Sequence, residues 1–379
     1  MTEFANRALL PAGLRDMLSP DAAFEAKAVH RLMGLFAAHG YERVKPPLIE
    51  FEESLLDGAA TATSPQTFRV MDPMTQKMMG LRADMTPQVA RIASTRLAQA
   101  ARPLRLSYAG QVLRVKGSQL RPERQFAQAG IELIGSDSPA ADAEVLVLTV
   151  EGLTALGVPG LSVDLALPTL VPSLFNEFGL DGAVAERLRV ALDHKDSAGV
   201  ASIGGDAARL LGGLITAAGP ADRALAALGA LDLPPAAAAE RAKLAGVLDL
   251  VRAALPDLAI TIDPAENRGF EYHTGVGFTV FARNLGAELG RGGRYLAGGT
   301  EPATGATVFM DTVLAALPEP EAAGRLFVPA ETPRARAAQA RADGWVTVAG
   351  LESVADAAAE AKRLGCGHVL GSDGIVAVQ

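Results

Sequence analysis

Three stretches hold most of the side chains able to do chemistry: residues 82–90, 108–132 and 268–295. Within the second, "RQFAQAGIELIG" (124–135) reads as a strand, so Gln128, Gly130 and Glu132 share one face, and the glycine leaves space between two polar side chains. Glu132 has apolar neighbours, and a carboxylate buried there without a partner is costly. It is either a paired structural glutamate or a ligand contact. In the third stretch, "NRGFEYHTGVGFTVFA" (267–282) reads as a strand with Arg268, Phe270 and Tyr272 on one side. Gly269, Gly275 and Gly277 permit close approach of a ligand or backbone there, and the Arg268 head must be paired or wet. The following segment, "GRGGRYLAGGTEPATGATVFMDTVLAAL" (290–317), has glycines spaced as in a ligand-binding loop, then turns apolar where a catalytic charge is expected. Between Arg82 and Arg124, nine basic residues stand against two acidic ones, Asp84 and Glu123. Such a cluster lines a pocket for a carboxylate or phosphate, or forms a solvated basic face.

Other chemistries find no footing. No GxxxxGK[ST] phosphate loop and no GxSxG elbow occur. The five histidines are scattered and Cys366 is the single cysteine, which argues against zinc and against an internal disulfide. "GGDAARLLGGL" lacks the preceding strand that a dinucleotide fold requires. The net charge of −8 argues against broad capture of nucleic acid. The start "MTEFANRALLPAGLRD" is not a secretory signal, and no uncharged apolar run reaches the ~18–20 residues of a membrane span. A cytoplasmic protein is expected.

The elements that must position these residues are legible from periodicity. "SPDAAFEAKAVHRLMGLFAAHG" predicts a helix capped by Ser19, with Pro20 in its first turn, Gly40 at its end and Phe24, Val29, Leu32, Leu35 and Phe36 as its buried stripe. "YERVKPPLIEF" predicts an extended segment interrupted by Pro46–Pro47, at an edge or a subunit boundary. "LRLSYAGQVLRV" (104–115) pairs with 124–135 across a polar turn. Residues 180–255 turn alanine-rich and helical, like an insertion or small subdomain. After about residue 322 a βαβαβ pattern suggests a separate α/β unit.

In order, these stretches resemble the core of a class II aminoacyl-tRNA synthetase, specifically histidyl-tRNA synthetase. "HGYERVKPPLIE" resembles its first motif, "LRADMTPQVAR" the loop for the amino group of histidine, and "SYAGQVLRV…RQFAQAGIELIG" the second-motif hairpin. "RGFEYHTGVGF" resembles the histidine-specific segment and "GGRYLAGG" the glycine loop after it. The resemblance implies an α+β (mixed α/β) fold: an antiparallel sheet flanked by helices over residues 1–320, with a helical insertion at 180–255 and a small α/β unit at 321–379. It also implies a histidine pocket. Asp84 (where the synthetase has glutamate), Thr86 and Gln128 would meet the ammonium group, Glu132 the imidazole and Arg268 the carboxylate. Tyr108, Tyr272 and Tyr295 would line the pocket, and His273 replaces a second tyrosine. Arg114 matches the arginine that holds the ATP α-phosphate.

Two departures bear on activity. The synthetase's third motif ends in Gly-Leu-Glu-Arg, and its arginine holds ATP; here Phe309, Met310, Asp311 and Thr312 stand there, and threonine offers no cationic donor fork. The turn "KGSQLRPE" departs from the usual ATP-contacting sequence, and the tail is too short for an anticodon-binding domain and has no net basic excess. "LLPAGLRDMLSPDAAFEA" and "LRADMTPQVARIA" are similar instead to the regulatory subunits of ATP phosphoribosyltransferase, a synthetase-like family acting at the first step of histidine biosynthesis. That similarity implies a chain with no catalysis of its own, no metal and no cofactor, and histidine as effector. It implies a homodimer through the first motif, joined by a short-form catalytic subunit in a hetero-octamer with four copies of each chain, and no binding of tRNA or membrane. The alternatives are a divergent histidine-activating, ATP-dependent enzyme and a stand-alone histidine- or tRNA-sensing module.

Overall fold

The structure is a computed structural model that describes residues 9–56, 64–117, 122–266, 272–283, 285–319 and 324–378. The chain divides into two compact units, Met1–Pro318 and Glu319–Gln379.

The larger unit is built on a nine-stranded sheet in the order β1-β5-β6-β12-β11-β10-β7-β9-β8. Its strands are β1 (Glu42–Arg43), β5 (Leu104–Leu113), β6 (Gln125–Ile134), β7 (Leu161–Ala166), β8 (Gly219–Pro220), β9 (Ala259–Asp263), β10 (Gly277–Ala282), β11 (Gly290–Ala297) and β12 (Glu301–Phe309). The pairs β1–β5 and β7–β9 are parallel and the others antiparallel. A second sheet orders β2 (Ile49–Phe51), β4 (Met78–Leu81) and β3 (Phe68–Met71). Pro46–Pro47 therefore separates two strands that belong to different sheets: neither proline nitrogen can donate to a ladder, and the chain leaves one sheet for the other there.

Alternation along the strands sorts the large sheet into two faces. Ala127, Ala129, Ile131 and Leu133 of β6, with Ala306 and Val308 of β12, enter the main apolar core. Helices α1 (Asp21–Ala38) and α4 (Pro139–Leu156) contribute Leu32, Phe36, Leu146 and Leu153 to it. In α4 the Ser138 hydroxyl accepts from the Ala140 N–H, Pro139 opens the first turn, and Gly157 at φ 102° ends it. Ser19 makes no such bond in α1, whose cap position falls on Pro20. The stripe of α1 buries Ala28, Leu32, Met33 and Phe36, and Val29 and Leu35 of the predicted stripe are half-buried and pack against the same core.

The segment predicted as an insertion is not a separate lobe. Helices α6 (Gly182–Asp193), α8 (Gly205–Ala217) and α10 (Pro235–Ala254) send Leu188, Leu211, Leu244 and Leu248 into the same core as β6 and β10, and β8 extends the main sheet through β9. Alanine-rich helices lie close to a sheet because small side chains allow it. Among the described residues, the strand predicted over 267–282 covers Gly277–Ala282; 267–271, with Arg268 and Phe270, lie outside the described residues. From Thr274 to Val276 the backbone still bonds Arg294, but Gly293 at φ 153° takes the pairing out of regular register.

The smaller unit orders its strands β14-β13-β15-β16. These are β13 (Arg325–Val328), β14 (Val346–Ala349), β15 (His368–Gly371) and β16 (Gly374–Ala377), with helices at Arg334–Ala342 and Ala357–Arg363. The end of the βαβαβ pattern, "HVLGSDGIVAVQ", is a hairpin, because Ser372–Asp373 turns the chain between the paired Gly371 and Gly374, the latter at φ 145°. No helix among the described residues is long and apolar enough to cross a membrane.

Candidate functional site

The other face of the large sheet carries the site. Cross-strand register places Leu106, Glu132, Gly305, Gly293 and Gly277 in one row over β5, β6, β12, β11 and β10. The next row is Tyr108, Gly130, Thr307 and Arg291. Three consecutive glycines beside Glu132 form a trough in which the carboxylate has room. A Cβ on Gly305 would stand 1.7 Å from Glu132 Oε2, so only glycine fits there. The space over Gly130 is not empty as the alternation alone suggested: the Tyr108 ring crosses it, with Cζ 2.4 Å from where a Cβ would be.

Above the trough lies a cavity of about 330 Å³. Of the expected residues, Asp84, Thr86, Arg114, Glu132, Tyr272, His273 and Tyr295 line it. Tyr108 and Gln128 stand directly behind its wall, and Arg268 lies outside the described residues. Glu132 is fully buried. It accepts from the Tyr295 hydroxyl at 2.9 Å and the Tyr108 hydroxyl at 3.3 Å. Tyr108 in turn shares bonds with Thr307 Oγ1 (2.7 Å) and Thr86 Oγ1 (3.1 Å). Burial, reinforced by the charge of Asp84, pushes the Glu132 carboxyl up to about 8 against the pull of these hydroxyls. Burial also drives both tyrosine hydroxyls well above their ordinary range, so they remain donors at neutral pH.

The opposite wall comes from the start of helix α3 (Thr86–Thr95) and the segment before it. Asp84 Oδ1 accepts from the Thr86 N–H at 3.1 Å, and Gln128 Oε1 accepts from the Met85 N–H at 3.2 Å. Gln128 thus fixes the segment through Oε1, while its Nε2 is buried with no hydrogen-bond partner among the described residues. Tyr272 packs edge-on against Tyr295, ring centroids 6.2 Å apart, and tilts over His273 at 4.1 Å. Arg114 lies over the Phe126 ring at 5.1 Å and donates weakly to the Ala83 carbonyl.

Sequence reasoning missed Gln66, Glu288, Arg291, Gly305 and Thr307 on this wall. Gly305 had a local signal, a glycine inside the strand "EPATGATVF", and Gly293 lies in the "GGRYLAGG" loop. The basic cluster is spent piecemeal. Arg91 pairs with Glu50, Arg102 with Glu301 and Arg105 with Glu144, each far along the chain. Arg114 reaches the cavity, and with Lys116 and Arg291 it borders an adjoining one of about 480 Å³. Arg291 is already bonded to Glu288. At the third-motif position, the Thr312 hydroxyl donates to the Glu288 and Phe309 carbonyls at 2.7 and 3.1 Å. Among the described residues no cluster of side chains is disposed to hold a metal ion.

The sequence of the histidyl-tRNA synthetase family matches residues 13–313. Over its full length the chain is 74% identical to a Paramagnetospirillum magneticum protein described as an ATP phosphoribosyltransferase regulatory subunit, all of which is covered. A Rhodospirillum centenum protein of the same description is 57% identical over 98% of this chain and 97% of its own. The chain belongs to the ATP phosphoribosyltransferase regulatory subunit family. A Bacillus halodurans structure, described as an ATP phosphoribosyltransferase regulatory subunit/histidyl-tRNA synthetase, superimposes with a TM-score of 0.80 at 25% identity, covering 94% of this chain and 96% of that one. Histidyl-tRNA synthetase from Nostoc sp. shares the fold, with a TM-score of 0.79 at 17% identity, over 97% of this chain and 92% of its own. The regulatory subunit family thus has a class II synthetase-like fold, mixed α and β, in this member.

Proposed function

We propose that the protein assembles with a catalytic ATP phosphoribosyltransferase subunit, is needed for that subunit's full activity, and takes histidine in the Glu132 cavity as the feedback effector. The observation that carries this reading is a fully buried carboxylate whose hydrogen-bond partners are all hydroxyls, placed on a cavity large enough for an amino acid. An imidazolium supplies the cation such a group favours. Asp84 and Thr86 face it across the cavity and suit an ammonium group, while Arg268 is assigned to the ligand carboxylate by resemblance alone. Inhibition then follows by linkage: histidine binds one arrangement of the assembly better and shifts the population toward it.

Homodimerisation through the first motif is supported by an apolar surface on and beside the three-stranded sheet. Phe51, Val70, Met71, Met74 and Met78 are exposed there, Met74 to 90%. A hetero-octamer in the cytoplasm, with four copies each of this chain and the short-form catalytic subunit, completes the proposal. Calorimetric titration of the purified chain with histidine tests it. Saturable heat that is lost in Glu132→Ala, with none from ATP, is the expected outcome, and a flat titration of the wild-type chain sinks the reading.

The Arg114 and Arg291 side chains at the adjoining cavity favour a second reading, a histidine-activating enzyme. The Thr312 hydroxyl, engaged with two carbonyls, weighs against it. Histidine-dependent exchange of pyrophosphate into ATP by the chain alone would establish that reading in place of the first.

A further inference from the structure

The segment Arg82–Gln88 is bonded on two sides. Toward the cavity, it presents Asp84 and Thr86, the latter hydrogen-bonded to Tyr108. Away from it, the anchors of Arg82 and Gln88 run to the Pro46–Glu50 segment and to β5, while the Met85 N–H is held by Gln128 of β6. The Arg82 N–H donates to the Leu48 carbonyl at 3.1 Å. The Arg82 guanidinium, in a residue only 6% exposed, donates to the carbonyls of Gln111 (2.8 Å), Pro46 (3.1 Å) and Pro47 (3.4 Å). Gly110 leaves the room this requires, since a Cβ there would stand 2.5 Å from Arg82 Nη2. Gln88, 1% exposed, donates through Nε2 to the Pro47 carbonyl (2.8 Å) and to Glu50 (2.9 Å), and Arg91 holds the same Glu50 with two bonds.

A buried arginine satisfied mainly by backbone carbonyls acts as a fastener, because several carbonyls from different segments converge on one rigid donor fork. The two proline residues suit this role, as they offer acceptors and no competing N–H. We infer that Arg82 and Gln88 are positioning residues that set Asp84 and Thr86 from the Pro46–Glu50 segment, so that the ammonium end of the ligand is governed from outside the cavity. The imidazole end, built on β5, β6, β11 and β12, meets this segment through the Thr86–Tyr108 bond, and among the described residues Arg82 and Gln88 themselves bond neither Glu132 nor Tyr295. The inference rests on the histidine reading above and assigns one end of that ligand to one set of bonds.

The test compares histidine with imidazole-4-propionate, which lacks the ammonium group, by calorimetry on the full chain. Arg82→Met is expected to weaken histidine about tenfold or more, as the loss of a charge-assisted contact does, and to leave imidazole-4-propionate nearly unchanged. Arg82→Lys, able to reach only part of the carbonyl set, should restore part of the histidine affinity. Should Arg82→Met fail to fold by circular dichroism, Gln88→Met provides the same contrast between the two ligands. Equal weakening of both ligands, or of neither, in the folded variants overturns the inference while leaving the histidine reading intact. A wild-type chain that binds neither ligand removes the reading itself.

Discussion

Glu132 and Asp142 are both buried carboxylates attached to the same sheet, on opposite faces, and they are satisfied in different ways. Asp142, on α4, meets Arg294 of β11 at 2.9 Å and accepts from the Thr304 hydroxyl at 2.5 Å. The same arginine donates to the Ser136 and Ser138 carbonyls, closing a network that fastens the start of α4 to β11 and β12. Burial raises the Asp142 carboxyl, and Arg294 is the main force pulling it back. Glu132 has no basic partner among the described residues; hydroxyls alone oppose its desolvation, and it lines the cavity above the trough, which Asp142 does not. A carboxylate paired with a guanidinium holds elements together. One left with neutral donors beside open space is suited to a cationic ligand.

Removal of Asp142 should lower stability and spare binding, and removal of Glu132 should abolish binding. Asp142→Ala strands a buried guanidinium, so chemical denaturation should show a loss of about 3–5 kcal/mol. Histidine affinity of the remaining folded protein should hardly change. An equal loss of affinity would mean that the two sites are not separable.

Glu132 should sharpen the comparison through pH. Its folded-state value of about 8 lies above the ordinary 4.5, so the folded chain holds more protons than the unfolded one between those limits. Stability from this group is full below pH 4.5 and declines through pH 8, by up to about 1.4 kcal/mol per pH unit. Glu132→Gln, which cannot ionise, should flatten that decline in a series of thermal melts. Histidine binding by the wild type should be strongest between about 6.5, where free imidazole titrates, and about 8. Below that window a proton must leave the ligand–site pair, and above it one must be taken up. The limb near 8 should disappear in Glu132→Gln.

The smallest expected effect tests the trough. Gly305→Ala forces the Glu132 carboxylate aside and should cost about 1–3 kcal/mol in stability, as overpacking does. Its melting temperature should recover when Glu132→Ala is added. Additive losses in the double variant would show that the carboxylate does not occupy that space.

Local pattern made part of this legible. The alternation of Gln128, Gly130 and Glu132, the hairpin 104–135 and the prolines at 46–47 all appear as read, since each depends on neighbours in the chain. The helical segment 180–255 was legible as helix but not in its packing, because an alanine-rich helix looks alike whether it spaces a lobe or lines a core. The hairpin turn at Ser372–Asp373 is marked locally by two polar residues between glycines.

The order of residues names those able to form a site, and places Glu132 on an apolar strand where a charge demands a partner. What surrounds that charge depends on strands brought together in space. Gly305, Gly293 and Thr307 reach the site by cross-strand register, Tyr108 fills the space over Gly130, and Thr312 spends its hydroxyl on the Glu288 and Phe309 carbonyls. Register is fixed by hydrogen bonds between strands distant in sequence, so nothing local to Glu132 specifies the glycines beside it.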